Sequence, residues 1–177
     1  TAKQESEMSV WKTLAATVFN PLLWPLGVAL GMTNAVRYGY LDWGVIHLVE
    51  VSGGEEEINT KVLKSAVKFA VLPLGGILGS ATSGWISDRY FGSRRVPVVC
   101  TLLVCLGGIT LAYDQVARSS TVGTLLLLAA AGFCIFGAQV ILVGTAPADL
   151  ARRGTSAAAA GFVNFFGYIG AAVFGDF

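Results

Sequence analysis

Five stretches of the chain are apolar over about the length a membrane-crossing helix requires, near 20 residues. They run roughly from Pro21 to His47, Ala66 to Ser87, Pro97 to Tyr113, Val122 to Pro147 and Ala157 to Gly175. Short polar connections separate them, at Glu50 to Ser65, Asp88 to Val96, Asp114 to Thr121 and Asp149 to Ser156. The pattern predicts an all-α membrane protein with five transmembrane helices. Residues 1–20 are expected to form a cytoplasmic arm and residues 21–177 a transmembrane domain.

Orientation follows from the basic residues. The arm (Lys3, Lys12), the second loop (Arg89, Arg94, Arg95) and the fourth loop (Arg152, Arg153) carry seven; the first and third loops carry three, Lys61, Lys64 and Arg118. Cytoplasmic loops hold the excess of Lys and Arg, which places the first group inside and the first and third loops outside. An odd number of spans puts the two ends on opposite sides.

Composition agrees with this reading. Hydrophobic residues make up 54% and charged residues 13% of the 177 residues, about half the charge of a typical soluble domain. Mean hydropathy is +0.67. The net charge of +1 and scattered basic residues give no tract or face for nucleic acid. Cys100, Cys105 and Cys134 all lie in apolar runs without CxxC spacing, and the chain has one histidine, so neither a disulfide framework nor a metal site is expected. No cofactor is implied. There is no nucleophile–base constellation or phosphate-cradling glycine loop, so an enzyme is not expected. The chain lacks an initiator Met and a signal-peptide pattern, and it stops beside an apolar run; both ends read as cuts in a longer protein.

Small residues recur at four-residue spacing inside the spans, as in Gly27 and Gly31, Gly75 and Gly79, and Gly76 and Ser80. In lipid this spacing lets helix backbones approach closely. Pro25 and Pro73 lie inside expected spans and are expected to kink them or open their hydrogen bonding.

The strongest local motif is Gly84-Trp85-Ile86-Ser87-Asp88-Arg89-Tyr90-Phe91-Gly92-Ser93-Arg94-Arg95, where a span meets a cytoplasmic loop. Gly84 is expected to permit close helix contact, Asp88 to lie near a neighbouring helix amino terminus, and Arg89, Arg94 and Arg95 to pair with carboxylates or carbonyls. Such a cluster would latch the cytoplasmic side in one conformation. The motif resembles the loop signature of the major facilitator superfamily.

Arg37 stands out independently. An arginine deep in a span costs about 3 kcal/mol or more, and such residues face a cavity or a partner. Its forked donors suit a phosphate dianion. The competing partner is Asp42, but five residues place the two about 140° apart around a helix. Asp42 itself reads either as a contact to another half of the protein or as a surface residue beside Trp43. His47 reads as interfacial in preference to a proton relay.

Several motifs in order narrow the resemblance. Asn20-Pro21-Leu22-Leu23-Trp24 with Arg37-Tyr38-Gly39-Tyr40-Leu41-Asp42-Trp43, then Gly75-Gly76-Ile77-Leu78-Gly79, then Gly161-Phe162-Val163-Asn164-Phe165-Phe166-Gly167-Tyr168-Ile169-Gly170 resemble helices seven, eight and eleven of the organophosphate:phosphate antiporters. The resemblance implies a partial major facilitator fold, helices seven to eleven of the carboxy-terminal half, with helices one to six and twelve outside the chain. It also implies that Arg37 is one of two phosphate-binding arginines, and that Tyr168 lies near substrate, where its hydroxyl would donate to an oxygen; aromatic packing is the alternative. The chain departs from the glycerol-phosphate carriers at Asn34 and Phe136, which stand for tyrosines, and at Pro73, which stands for a glutamate. Ala157 to Ala160 replaces a Gly-Thr pair.

The implied function is exchange of an organic phosphate ester for inorganic phosphate by alternating access, in a plasma or organelle membrane, with the rest of the carrier supplying the second half of the cavity. The alternatives are a sensor of hexose phosphate on the same fold and an inert fragment. The topology is directly testable in sealed cells. Cysteine placed at position 56 should react with an impermeant maleimide added from outside and cysteine at position 94 should not; the reverse pattern would invert the orientation.

Overall fold

A computed structural model describes residues 10–51, 57–92, 94–151 and 154–175. Glu55, Glu56, Ser93, Arg152 and Arg153, which figured in the topology and loop expectations, lie outside the described residues. All regular structure among the described residues is helical: α1 Val10–Val18, α2 Leu23–Val51, α3 Ile58–Phe69, α4 Val71–Tyr90, α5 Arg95–Ser119, α6 Thr121–Val140, a π-helical turn Ile141–Thr145, α7 Ala146–Leu150 and α8 Ser156–Gly175.

Four segments are long and apolar enough to cross a membrane, Ile58–Tyr90, Arg95–Ser119, Thr121–Leu150 and Ser156–Val173. A fifth arises if Trp11–Val18 and Leu23–Val51, bent by 76° at the break between them, count as one broken span. The first expected span is thus the exceptional one. The polar content of α2, with Asn34, Arg37, Asp42 and His47 all on it, lowers its apolar character.

Helices run further than the apolar stretches, because polar residues at the ends of a span need not stop the helix. Half of the expected first loop is helical, as α3 begins at Ile58. The expected third loop shrinks to Ser120, since α5 continues through Asp114 to Ser119. Arg118 donates from Nε and Nη2 to the Asp114 carboxylate four residues earlier, an arrangement that supports helix continuation. The expected arm contains α1.

The prolines do not act as expected at Pro25, which lies in the first turn of α2, where a backbone N–H has no intrahelical partner to lose. Pro73 sits just past the junction at Ala70 that separates α3 from α4, so there the hydrogen bonding is interrupted as expected. Pro147 follows the π-helical turn, another site where the regular ladder is broken.

The chain divides into two compact units. One comprises Thr1–Ala35 and Ile141–Phe177, with Leu23, Leu26, Leu30, Ile141, Leu142 and Val163 buried in it. Here α2 and α8 meet through glycine: a Cβ on Gly170 would strike the backbone of Gly31, and one on Gly27 would sit 3.1 Å from the Phe166 side chain. Trp24 packs on Phe162 and Phe166 at ring separations of 5.3 and 5.1 Å. The Asn20 carboxamide accepts from Leu22 N–H (3.1 Å), forming a local turn before α2, and donates to the Leu150 carbonyl of α7 (3.0 Å).

The second unit, Val36–Val140, holds the rest of α2 and α3 to α6. Its core contains Tyr40, Leu72, Leu106, Leu128, Cys134 and Ile135. Helices α4 and α6 approach so closely that a Cβ on Gly75, Gly79 or Gly132 would collide with the backbone of Ala129, Phe133 or Leu72 respectively. The glycine spacing read as a packing signal therefore is one. Gly84 departs from expectation: a Cβ there would meet nothing within 4 Å among the described residues.

Gly75→Leu should accordingly destabilise the protein by about 1–3 kcal/mol or prevent folding, because the facing partner is backbone and has no rotamer to yield. Gly107→Ala, in open space, should be neutral. Thermal melting of the detergent-solubilised protein, monitored by size-exclusion fluorescence, checks both.

Candidate functional site

Within Val36–Val140, α2 carries Arg37 and α6 carries Gln139, and the two side chains meet: Arg37 Nη1 donates to Gln139 Oε1 at 2.9 Å. The guanidinium carbon lies 4.7 Å from the Tyr38 ring centroid. Arg37 is half-buried, and its Nε is buried with no hydrogen-bond partner. No carboxylate among the described residues pairs with it. Asp42 is exposed and forms no ion pair with Arg37, in keeping with the 140° the helix puts between them.

Phe136 lies one turn before Gln139 on α6, but its ring presses on Gly76 of α4, where a Cβ would collide with it, and it packs against the core of this unit. It is a packing residue first. In the other unit, Asn34 is buried and donates from Nδ2 to the Gly167 carbonyl at 3.0 Å, clamping α2 to α8, while its Oδ1 has no partner among the described residues. Tyr168 is 60% exposed on α8.

The loop motif closes on itself. Arg95, the first residue of α5, donates from Nη1 to Asp88 Oδ1 near the end of α4 at 2.7 Å, a charge-assisted bond. Between them the chain reverses through Gly92, whose φ of +56° lies in the region that side chains disfavour. Arg89 and Arg94 are exposed and make no ion pair among the described residues. The partner of Asp88 is the side chain of the residue that opens α5.

Two groups were not legible from sequence. Gln139 is the sole carboxamide in the apolar run Val122 to Pro147, a signal available to a search for polar residues inside spans. The other is a charged cluster at the far end of α2 and α5. His47 Nε2 lies 2.9 Å from Asp114 Oδ1, and Arg118 grips the same carboxylate. His47 is therefore tied to α5, and its ring stacks near Tyr113 at 5.4 Å. The Asp114–Arg118 spacing of four residues could have announced the pair; the arrival of His47 could not. Beside this cluster lies an open apolar recess of about 330 Å³ lined by Tyr40, Trp43, His47 and Tyr113 among others. No cluster of three or more metal-ligating side chains occurs among the described residues.

Long apolar helices packed through glycine, with a charged loop between two of them and an unneutralised arginine within, define a multi-pass integral membrane protein. The Major Facilitator Superfamily profile matches residues 1–175, and the chain belongs to that superfamily. It is 33% identical over 174 residues to the glycerol-3-phosphate transporter of Bacillus subtilis, covering 98% of this chain and 38% of that protein. It is 30% identical to the membrane sensor protein UhpC of Salmonella typhimurium, over 89% of this chain and 34% of the relative. It is 29% identical to the hexose-6-phosphate:phosphate antiporter of the same organism, over 94% and 34%. These relatives agree with the organophosphate:phosphate antiporter resemblance. The chain spans between a third and two-fifths of the length of the curated relatives it matches.

Proposed function

We propose that this chain supplies the carboxy-terminal part of a plasma-membrane carrier that exchanges a glycerol or sugar phosphate for inorganic phosphate by alternating access. The reading rests on Arg37, a half-buried cation on a helix within the bundle whose hydrogen-bond partner is the neutral Gln139. A charge so placed is costly unless an anion recovers the cost. A phosphate dianion fits the planar fork. The names of the relatives, a glycerol-3-phosphate transporter and a hexose-6-phosphate:phosphate antiporter, favour the same ligand class. The ligand is moved without chemical change.

In this reading Arg37 and Tyr168 contact substrate. Asn34 and Phe136, which stand where the glycerol-phosphate carriers have tyrosines, are assigned to substrate binding as well. Asp42 reaches toward the other half of the carrier. Asp88 and Arg95 hold the cytoplasmic loop, with Arg89 and Arg94 presenting charge to that same half. The whole carrier has two pseudo-symmetric halves that rock about the central site. A second reading, a sensor that binds hexose phosphate without carrying it, draws support from the 30% identity to a membrane sensor protein. Flux separates the two: a sensor binds phosphate ester but exchanges none.

Two outcomes are expected for the full-length carrier in phosphate-loaded proteoliposomes. Arg37→Ala should abolish radiolabelled phosphate uptake with insertion intact, while Arg37→Lys keeps weak uptake, having charge without the fork. Wild-type uptake by Arg37→Ala, or its rescue by Asp42→Asn, would remove the substrate assignment.

Asp88→Asn should lower the maximal rate about tenfold and leave the KM for phosphate within about twofold, because the lost bond biases conformations and touches no substrate. A defect confined to KM would argue against a latch. Arg95→Lys should be milder than Arg95→Ala.

A further inference from the structure

Arg37 is held by one hydrogen bond, from Nη1 to Gln139 Oε1 at 2.9 Å, which joins α2 to α6 across 102 residues of sequence. A guanidinium has five N–H donors and no acceptor, so the carboxamide must turn its oxygen toward it. With Nη1 engaged, the Nε–Nη2 edge is left, and Nε is buried without a partner. That edge carries two parallel N–H groups at the spacing of two phosphate oxygens. The Tyr38 ring 4.7 Å from Cζ restricts rotation of the guanidinium plane. The Gln139 amide nitrogen then adds two further donors, with no partner among the described residues.

We propose that Gln139 is a positioning residue that aims the Nε–Nη2 edge of Arg37 at the doubly ionised phosphate group of the substrate while leaving its charge uncancelled. The inference rests on the assignment of Arg37 to phosphate binding. The chemistry explains why a carboxamide stands here. A carboxylate at the same distance would form an ion pair with Arg37, neutralise it and repel the incoming dianion. A hydrocarbon side chain would leave Nη1 without its acceptor and the long arginine free among rotamers, so each binding event would have to order it. The carboxamide alone fixes direction without taking the charge. The resulting site consists of donors only, which matches an oxyanion that has no proton to donate.

The test is phosphate exchange by the full-length carrier in proteoliposomes, with melting of each variant measured in detergent. Gln139→Leu should raise the KM for phosphate about tenfold and change the maximal rate less than about threefold. Gln139→Glu, of the same shape and still bonded to Arg37, should melt at or above the wild-type temperature and yet lose more exchange than Gln139→Leu. A merely structural role predicts the opposite order. In the Arg37→Lys background, Gln139→Leu should add less than about a twofold change in KM, since there is no planar edge left to aim. Wild-type-like exchange by Gln139→Glu, or an equal KM penalty of Gln139→Leu in both backgrounds, would overturn the proposal. Full uptake by Arg37→Ala would instead remove the binding site itself; loss of uptake there with wild-type kinetics for the Gln139 variants would remove this proposal alone.

Discussion

Hydrocarbon offers no water to a peptide group, so every backbone N–H and C=O inside the bilayer has to be satisfied within its own helix. It also withdraws the usual reason for helices to associate, because an apolar side chain gains little by leaving lipid for protein. Close packing has to supply the attraction instead. In this chain it does so through absent side chains. Gly75, Gly79 and Gly132 let the backbones of α4 and α6 touch, and Gly31 and Gly170 do the same for α2 and α8. The aromatic group Trp24, Phe162 and Phe166 then fills the space beside the second contact.

With the helices fixed in this way, several polar groups within them meet partners on other helices, while the buried Ser65, Ser83, Ser87 and Tyr113 hydroxyls have none among the described residues. The choice varies with depth. In the interior the partners are neutral: Asn34 on a backbone carbonyl, Tyr40 on Thr110 at 3.2 Å, Arg37 on a carboxamide. At helix ends they are charged, as in Asp88 with Arg95 and in Asp114 with Arg118 and His47. Charges near water hold loops and helix ends at small cost and with small gain. Arg37, among the helices with a neutral partner, differs in this from Arg95 and Arg118, which pair with carboxylates.

Under the proposed function the two kinds of contact suit different tasks. A proposed site that releases what it binds is better served by a cation without a permanent counter-ion, and a proposed latch by an exposed ion pair than by a buried one. Asp88 is more than half exposed, at 57% of its side chain, so its bond to Arg95 lies next to water. Gly92, with its φ of +56°, lies between the ends of these two helices.

Much of this was present in the order of residues. Apolar length located the spans, and the superfamily follows from motifs that are local in sequence, such as the Asp-Arg and Arg-Arg loop. The glycine spacing announced close contacts. Arg37 declared itself as an unusual charge, and the helical period spoke against Asp42 as its partner. Helix ends were less legible, since α3 and α5 overrun their apolar stretches and α2 is too polar to qualify as a span without α1. Hydropathy reports lipid contact, whereas a helix stops only where its hydrogen bonding or capping fails. Partners separated by long stretches of chain were beyond the sequence altogether. Nothing local to Arg37 points to Gln139, nothing near Asn34 points to Gly167, and His47 meets Asp114 only because α2 and α5 pack side by side. Residue type and period fix what a side chain offers and which face it lies on; which group it reaches depends on helix packing.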